Sequence, residues 1–170
     1  MKTKKRFRIL ILSSFVLFTA LFSAAQVFSY PVEFVDARKN RITINERPSR
    51  VISLVPSITE IIFKLGAGDA VKAVTYHDSY PPEAATREII GGFFSPSDAI
   101  FCSRFHKKVK ERFGRGKCRL INLETDSLTD SYKNIRLLGR IFNKENEARE
   151  IIEKIEKELE TIDRKVDRIP

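Results

Sequence analysis

From Arg50 onward the apolar residues alternate between two periods. Val51, Ile52 and Leu54 make a short β-branched run, which predicts a buried strand over Arg50–Leu54. Pro56 stops that strand, and Ser57 with Glu60 forms an S-x-x-E capping box that opens a helix. Ile58, Ile61, Ile62 and Leu65 give this helix an apolar face, and Gly66 stands where its C-cap belongs. Ala70 to Tyr76 reads as a second buried strand. Strand, helix and strand with short joints predict a βαβ unit, and therefore parallel strands. Farther on, Asp98–Cys102 reads as a strand, Arg104–Phe113 as a helix and Cys118–Leu123 as the next strand. Ser127 caps a helix carrying Leu128, Ile135, Leu138 and Ile141, which Asn143 ends. A last helix starts near Glu145, and its apolar positions are Ala148, Ile152, Ile155, Leu159, Ile162, Val166 and Ile169. Their spacing alternates between four and three, which also describes a coiled-coil seam. Ahead of the core, Pro31 to Asn45 alternates apolar and polar around Arg38-Lys39-Asn40, the pattern of a β-hairpin. Tyr80-Pro81-Pro82, Gly91-Gly92 and Ser95-Pro96-Ser97 mark loops.

The first residues are set apart from this core. Lys2, Lys4, Lys5, Arg6 and Arg8 precede an apolar run from Ile9 to Phe22, and Ser23-Ala24-Ala25 supplies small residues for cleavage. Residues 1–25 therefore read as a secretory signal peptide cut after Ala25, with Ser29 as the alternative. The apolar run is short for a membrane span. No cysteine stands near the cleavage positions, so no lipid anchor is expected there and the expected location is periplasmic. The leader also changes the charge. It holds five of the 31 basic residues and no acid, leaving 26 against 22, so the formal +9 of the whole chain overstates the basic character of the rest. The remaining cluster from Arg104 to Arg119 is read as a solvated helix face and not a nucleic-acid surface. Two cysteines in an exported chain suggest a disulfide. In the predicted βαβ unit, however, Cys102 ends one strand and Cys118 begins its parallel neighbour, too far apart to be bridged, so two free thiols are expected.

The stretch from Arg50 to Ser97 closely resembles the N-terminal lobe of periplasmic substrate-binding proteins that serve ABC importers of vitamin B12, ferric siderophores and haem. The matching blocks are Arg50-Val51-Ile52-Ser53-Leu54, Pro56-Ser57-Ile58-Thr59-Glu60, Leu65-Gly66-Ala67-Gly68-Asp69, Val74-Thr75, Tyr80-Pro81-Pro82 and Gly91-Gly92-Phe93-Phe94. The Gly-containing LGAGD follows a helix instead of opening one, which rules out a dinucleotide loop. The resemblance implies an α/β fold: the parallel-sheet βαβ lobe of a helix-linked (class III) binding protein, followed by a long C-terminal helix. Residues 26–142 are then the ligand-binding lobe, and 143–170 the start of the helix that crosses between lobes. Two departures stand out. The second lobe is absent from the chain, which reads as truncated. Ser97 also runs directly into Asp98-Ala99-Ile100-Phe101 where relatives insert a helix, so about a dozen residues of crossover are missing. With them goes the glutamate that, in B12-binding relatives, docks this lobe on the transporter.

In open parallel sheets, ligands bind beyond the C-terminal ends of the strands. Pro56-Ser57, Tyr76-His77-Asp78, Phe93-Phe94-Ser95 and the Ser103–His106 loop should gather there as an aromatic, weakly polar edge suited to a large flat ligand. The resemblance builds its cleft from the same loops, and the candidate ligand contacts are Ser57, Tyr76, His77, Phe93, Phe94 and Ser95. Each has a plainer reading: Tyr76 and Phe93 as caps on the core, Phe94 buried beneath its loop, and Ser57 as a helix cap. His77 is placed either as an axial ligand to cobalt or haem iron or as an ordinary surface histidine. His106 is read as solvated. No resident metal site is expected from two histidines without a matching carboxylate set. No cofactor is expected either, the ligand being cobalamin, haem or a ferric siderophore. The sequence has no G-x-S-x-G elbow, P-loop or HExxH, so no enzyme is read from it. The implied function is that of a periplasmic solute-binding component that hands its chelate to an ABC permease in the inner membrane. Two alternatives stand beside it: a truncated remnant without a transport role, and an exported module that self-associates through Ala148, Ile152, Ile155, Leu159, Ile162 and Val166.

Overall fold

The structure, a computed structural model, describes residues 30–90, 97–113 and 118–167. The leader, Phe93, Phe94 and Ser95 lie outside them. The alternation ahead of the core forms the expected hairpin, with β1 (Val32–Val35) antiparallel to β2 (Arg41–Ile44). Val32 and Ile44 are buried, with Phe34 and Ile42 packed beside them. In the turn, Asp36 accepts from the N–H groups of Arg38 (2.9 Å) and Asn40 (2.8 Å), an Asx-type arrangement in which Lys39 takes a positive φ of 63°.

The predicted βαβ unit follows. β3 (Val51–Ser53) runs into α1 (Pro56–Lys64), and β4 (Val71–Val74) pairs with β3 in parallel. The start of α1 differs from the expected capping box. Val55 is the extended N-cap residue, Pro56 occupies the first turn and no side chain caps the helix. Proline lacks the N–H that a first-turn residue would leave unpaired, and its fixed φ already suits a helix, so Pro56 opens α1 where it was expected only to stop the strand. The other end is as expected. Gly66 adopts φ +71°, its N–H reaches the Phe63 carbonyl, and the Ala67 N–H reaches Ile62, the paired bonds of a Schellman cap.

A two-residue strand that the periodicity did not reveal, β5 (Glu88–Ile89), extends the sheet beyond β4. β6 (Ala99–Cys102), α2 (Lys107–Phe113) and β7 (Arg119–Asn122) complete it in the order β5-β4-β3-β6-β7, with every pairing parallel. α2 is shorter than the helix expected from Arg104, because residues 104–106 form a turn ahead of it. α3 (Leu128–Phe142) is capped by Ser127, whose Oγ accepts from the Asp130 N–H, and ends at Asn143 in the left-handed region. Leu128, expected on its apolar face, is exposed in the first turn.

α4 (Glu145–Val166) packs on α3, and α3 on α1. These three helices cover one face of the sheet around Val51, Ile58, Ile62, Leu65, Phe101, Ile121, Leu138, Ile141 and Phe142. The other face carries a smaller cluster of Ile52, Leu54, Ala73, Ile100 and Cys102, against which Val109 of α2 packs. α4 is buried only where it meets α3, through Ala148, Ile151 and Ile152. Of the self-association seam, Ala148 and Ile152 are thus already inside this lobe, because α3 covers them. Leu159, Ile162 and Val166 stay exposed. Both cysteines are free as expected. Burial pushes the Cys102 thiol up to about 11 and raises that of Cys118, so neither is a ready nucleophile.

The hairpin is tied to the sheet edge by one carboxylate. Asp36 is buried, and its Oδ2 accepts from the Asn122 N–H (3.2 Å) and Asn122 Nδ2 (2.9 Å), while Asn40 Nδ2 binds both oxygens. Burial alone would raise its pKa, but the hydrogen bonds from Asn122 and Asn40 outweigh it and hold Asp36 below the ordinary 3.8. A depressed pKa stabilises the fold above the unfolded value and loses that contribution as pH falls through the folded one. Asp36→Ala should therefore cost about 2–3 kcal/mol in urea unfolding at pH 7, because buried donors lose a charged acceptor. The gap to wild type should narrow as the pH drops below 3.8. A gap unchanged by pH would contradict the assignment.

Candidate functional site

The strand order reverses at β3. From β3 the chain steps outward through β4 to β5, then returns to lay β6 on the other side of β3. At such a reversal the loops leaving neighbouring strands part in opposite directions and open a crevice beyond the strand ends. By that rule the crevice falls between the Leu54–Ser57 and Ser103–His106 segments, with Thr75–Asp78 after β4 and Leu123–Asp126 after β7 to either side.

Its base is backbone. The Leu54 N–H donates to the Phe101 carbonyl (2.9 Å) and the Leu123 N–H to Cys102 (2.8 Å), carrying the ladder one residue past the strands. Beneath it, buried Thr59 sends its hydroxyl to Ser53 Oγ (2.8 Å), so a polar residue on the inner face of α1 is satisfied locally. Ser57, freed from capping, sits half-buried on the first turn of α1, with its Oγ 3.2 Å from Thr125 Oγ1. That hydroxyl pair joins the loops after β3 and β7.

On one flank Asp78 is buried, and its Oδ2 accepts from the Thr75 N–H (2.9 Å) and the Thr75 hydroxyl. This closed turn presents Tyr76 and His77 outward. Tyr76 is 75% exposed and therefore does not cap the core, and its ring lies 3.8 Å from the His77 ring, centroid to centroid. On the other flank Phe105 is 78% exposed, with the Arg104 guanidinium 5.0 Å from its ring centroid. Arg104 is itself fixed. Both its terminal nitrogens engage Asp126, with Nη2–Oδ1 at 2.8 Å, Nη1 lies 3.4 Å from Glu124 Oε2, and its N–H donates to Glu124 Oε1 (2.7 Å). The bond to Arg104 holds the Asp126 carboxyl below its usual range. His106 is half-buried, not solvated as expected. Its Nδ1 accepts from the Ser103 N–H (3.1 Å), and burial lowers its pKa.

The described part of the edge brings Ser57, Tyr76 and His77 to one rim. Glu124, Thr125, Asp126, Arg104 and Phe105 join them there without having been named individually as ligand contacts. The signal for the first three was present: they follow the β7 run directly, and the rule applied to the other strands applies to this one. Arg104 was obscured by its place in a basic cluster. Chemically the rim offers aromatic faces, hydroxyls and a compensated ion pair. Ser57 touches a hydroxyl, not a base. Among the described residues no group of three or more His, Cys, Asp or Glu is arranged to hold a metal ion, and no helix is long and apolar enough to cross a membrane.

With this geometry in hand, comparison with known proteins is informative. No family model matches the chain. It is 28% identical over 149 residues to an ABC transporter substrate-binding lipoprotein of Bacillus subtilis, covering 80% of this chain and 48% of that one. It is 36% identical over 69 residues to a cobalamin-binding protein of Halobacterium salinarum, covering 41% and 19%. Among solved structures, the iron-uptake ABC transporter substrate-binding protein of Streptococcus pneumoniae superposes with a TM-score of 0.68 at 15% identity, over 82% of this chain and 54% of that one. The chain thus spans about half the length of the Bacillus relative. Its homologues and structural neighbours are substrate-binding proteins of ABC transporters, among them proteins for cobalamin, haem and iron, and the resemblance seen in Arg50–Ser97 holds. The parallel sheet and long final helix match the helix-linked class of periplasmic binding proteins.

The two serines at helix starts separate the expected cap from the observed one. Ser127→Ala should cost about 1 kcal/mol in thermal or urea unfolding. Ser57→Ala should cost about 0.5 kcal/mol or less. Equal losses would restore the capping box at Ser57.

Proposed function

We propose that this chain is the ligand-gripping lobe of an exported ABC-importer component that captures a metal chelate (cobalamin, haem or a ferric siderophore) and presents it to a membrane permease. The observation that carries the reading is the rim itself: two exposed aromatic groups, Tyr76 with His77 and Phe105 with Arg104, stand on either side of a strand-order reversal bridged by Ser57 and Thr125. Exposed aromatics held by a closed turn on one side and an ion-paired arginine on the other lose little freedom when a flat macrocycle or aromatic chelate stacks on them. The hydroxyl pair supplies hydrogen bonds to its polar periphery. Nothing in this rim makes or breaks bonds. The names borne by the relatives support both the chelate class and export.

Ser57, Tyr76, His77 and Phe105 are the contacts we assign, together with Phe93, Phe94 and Ser95 on the preceding connection. The described residues form one wall of a cleft. A ligand on a single wall stays half solvated, so binding by this chain alone should be weaker than about micromolar.

Cobalamin and haem carry their own chromophores, and the chain has no tryptophan to interfere with optical titration. Adding either to the purified chain should give a saturable absorbance shift, weakened about tenfold or more by Tyr76→Ala or Phe105→Ala. Absence of a shift with both ligands, in a chain shown to be folded, would remove cobalamin and haem, leave a siderophore open and favour a remnant without a transport role. Loss through His77→Ala accompanied by a change in the metal-centred bands would identify axial ligation.

A second reading rests on the exposed end of α4. Leu159, Ile162 and Val166 form an uncovered apolar stripe beyond the segment packed on α3. Self-association through it would appear in sedimentation as a mass that rises with concentration and returns to monomer in Leu159→Lys. A concentration-independent monomer would end this reading.

A further inference from the structure

The motifs that carried the resemblance are not all used by the rim. Leu65-Gly66-Ala67-Gly68-Asp69 leads into the N-terminal end of β4, and Arg87 directly precedes β5, so both lie toward the opposite edge of the sheet. Together with the end of α1 and the Tyr80-Pro81 segment they enclose a separate cleft of about 510 Å³, within the size range of small-molecule sites.

The cleft is built around Phe63. Gly68 lies flat against that ring, and a Cβ at this position would sit 2.5 Å from Phe63 Cδ1. Arg87 covers the ring from another side, with its guanidinium 5.5 Å from the centroid and Nη2 donating to the Gly68 carbonyl (3.2 Å). Its Nε is closed off from water without an acceptor, and no carboxylate pairs with its charge among the described residues. By contrast Asp69, on the same wall, is already engaged by Arg47 at 3.1 Å. Pro81 and Tyr80 also line the cleft, the latter 64% exposed. A guanidinium with no carboxylate partner among the described residues, on a cleft that Tyr80 and Pro81 also line, complements a flat apolar body bearing one negative charge. Lys64 adds a second cation to the lining, but Glu60, Asp69 and Glu83 outnumber the two and disfavour a polyanion.

We propose that this cleft is a second ligand site, selective for a small aromatic monocarboxylate, with Arg87, fixed against Phe63, binding the carboxylate and Tyr80 and Pro81 flanking the ring. The site is independent of the chelate-binding rim, since no residue is shared between them.

Benzoate and its neutral isostere benzamide test this directly by backbone-amide NMR of the isotope-labelled chain. The expected result is saturable shifts at Phe63, Gly66, Gly68 and Arg87 with benzoate, no change at Ser57 or Tyr76, and about tenfold or more weaker binding of benzamide. Arg87→Gln should abolish the preference for benzoate. Equal binding of the two probes, shifts confined to the rim, or no saturable shift would each overturn the proposal. Should Arg87→Gln fail to fold, the comparison of the two probes on the unaltered chain decides alone. A failed chelate titration leaves this result untouched, and the reverse also holds.

Discussion

The architecture depends on the two-sided pairing of β3. Its three residues are buried on both faces and paired in parallel on both edges, with β4 on one side and β6 on the other. A strand in that position must be apolar on both faces, which accounts for the unbroken Val51-Ile52 run and for the local satisfaction of Ser53, whose hydroxyl accepts from Thr59 and donates to the Val55 carbonyl. Placing β6 beside β3, and not beyond β5, creates the reversal from which the crevice follows. The site is thus a consequence of topology first and of side-chain chemistry second. The same loops on a sheet wound in one direction would leave the strand ends covered.

Much of the fold was legible because helices and strands each advertise a period. The βαβ unit, the hairpin, the caps at Ser127 and Asn143, and the unbridged cysteines all follow from local pattern. The failures share a cause, namely competition between two local rules. At Pro56-Ser57, an S-x-x-E pattern and a proline both signal a helix start, and the proline takes the first turn because its missing N–H costs nothing there. β5 escaped notice because two exposed residues, Glu88 and Ile89, pair only through backbone and carry no periodic signal. Leu128 fits the helical spacing of α3, yet it lies exposed in the first turn, ahead of the residues that helix buries.

The site was legible to a lesser degree. Position along the chain placed Ser57, Tyr76 and His77 correctly at strand ends, since that rule needs only topology. The support beneath them was not readable. That Asp78 closes the turn carrying Tyr76, and that Asp126 and Glu124 immobilise Arg104 under Phe105, depends on side chains brought together from separate segments of the chain. Charge clustering in the sequence did not single out Arg104, which Asp126 and Glu124 neutralise, from Lys107 and Lys108, which are exposed as expected.

α4 has a mechanical meaning that its packing alone does not express. It is clamped through Ala148, Ile151, Ile152 and the half-buried Ile155, and the residues from 156 to 166 extend past the clamp as unbroken helix. At 1.5 Å per residue that is a stiff arm about 16 Å long, fixed at one end only. A rotation of about 5° at the α3–α4 corner would carry its tip roughly 1.5 Å, whereas a flexible tether of the same length would absorb the motion. A group attached to the far end of this arm would inherit the orientation of the α/β lobe.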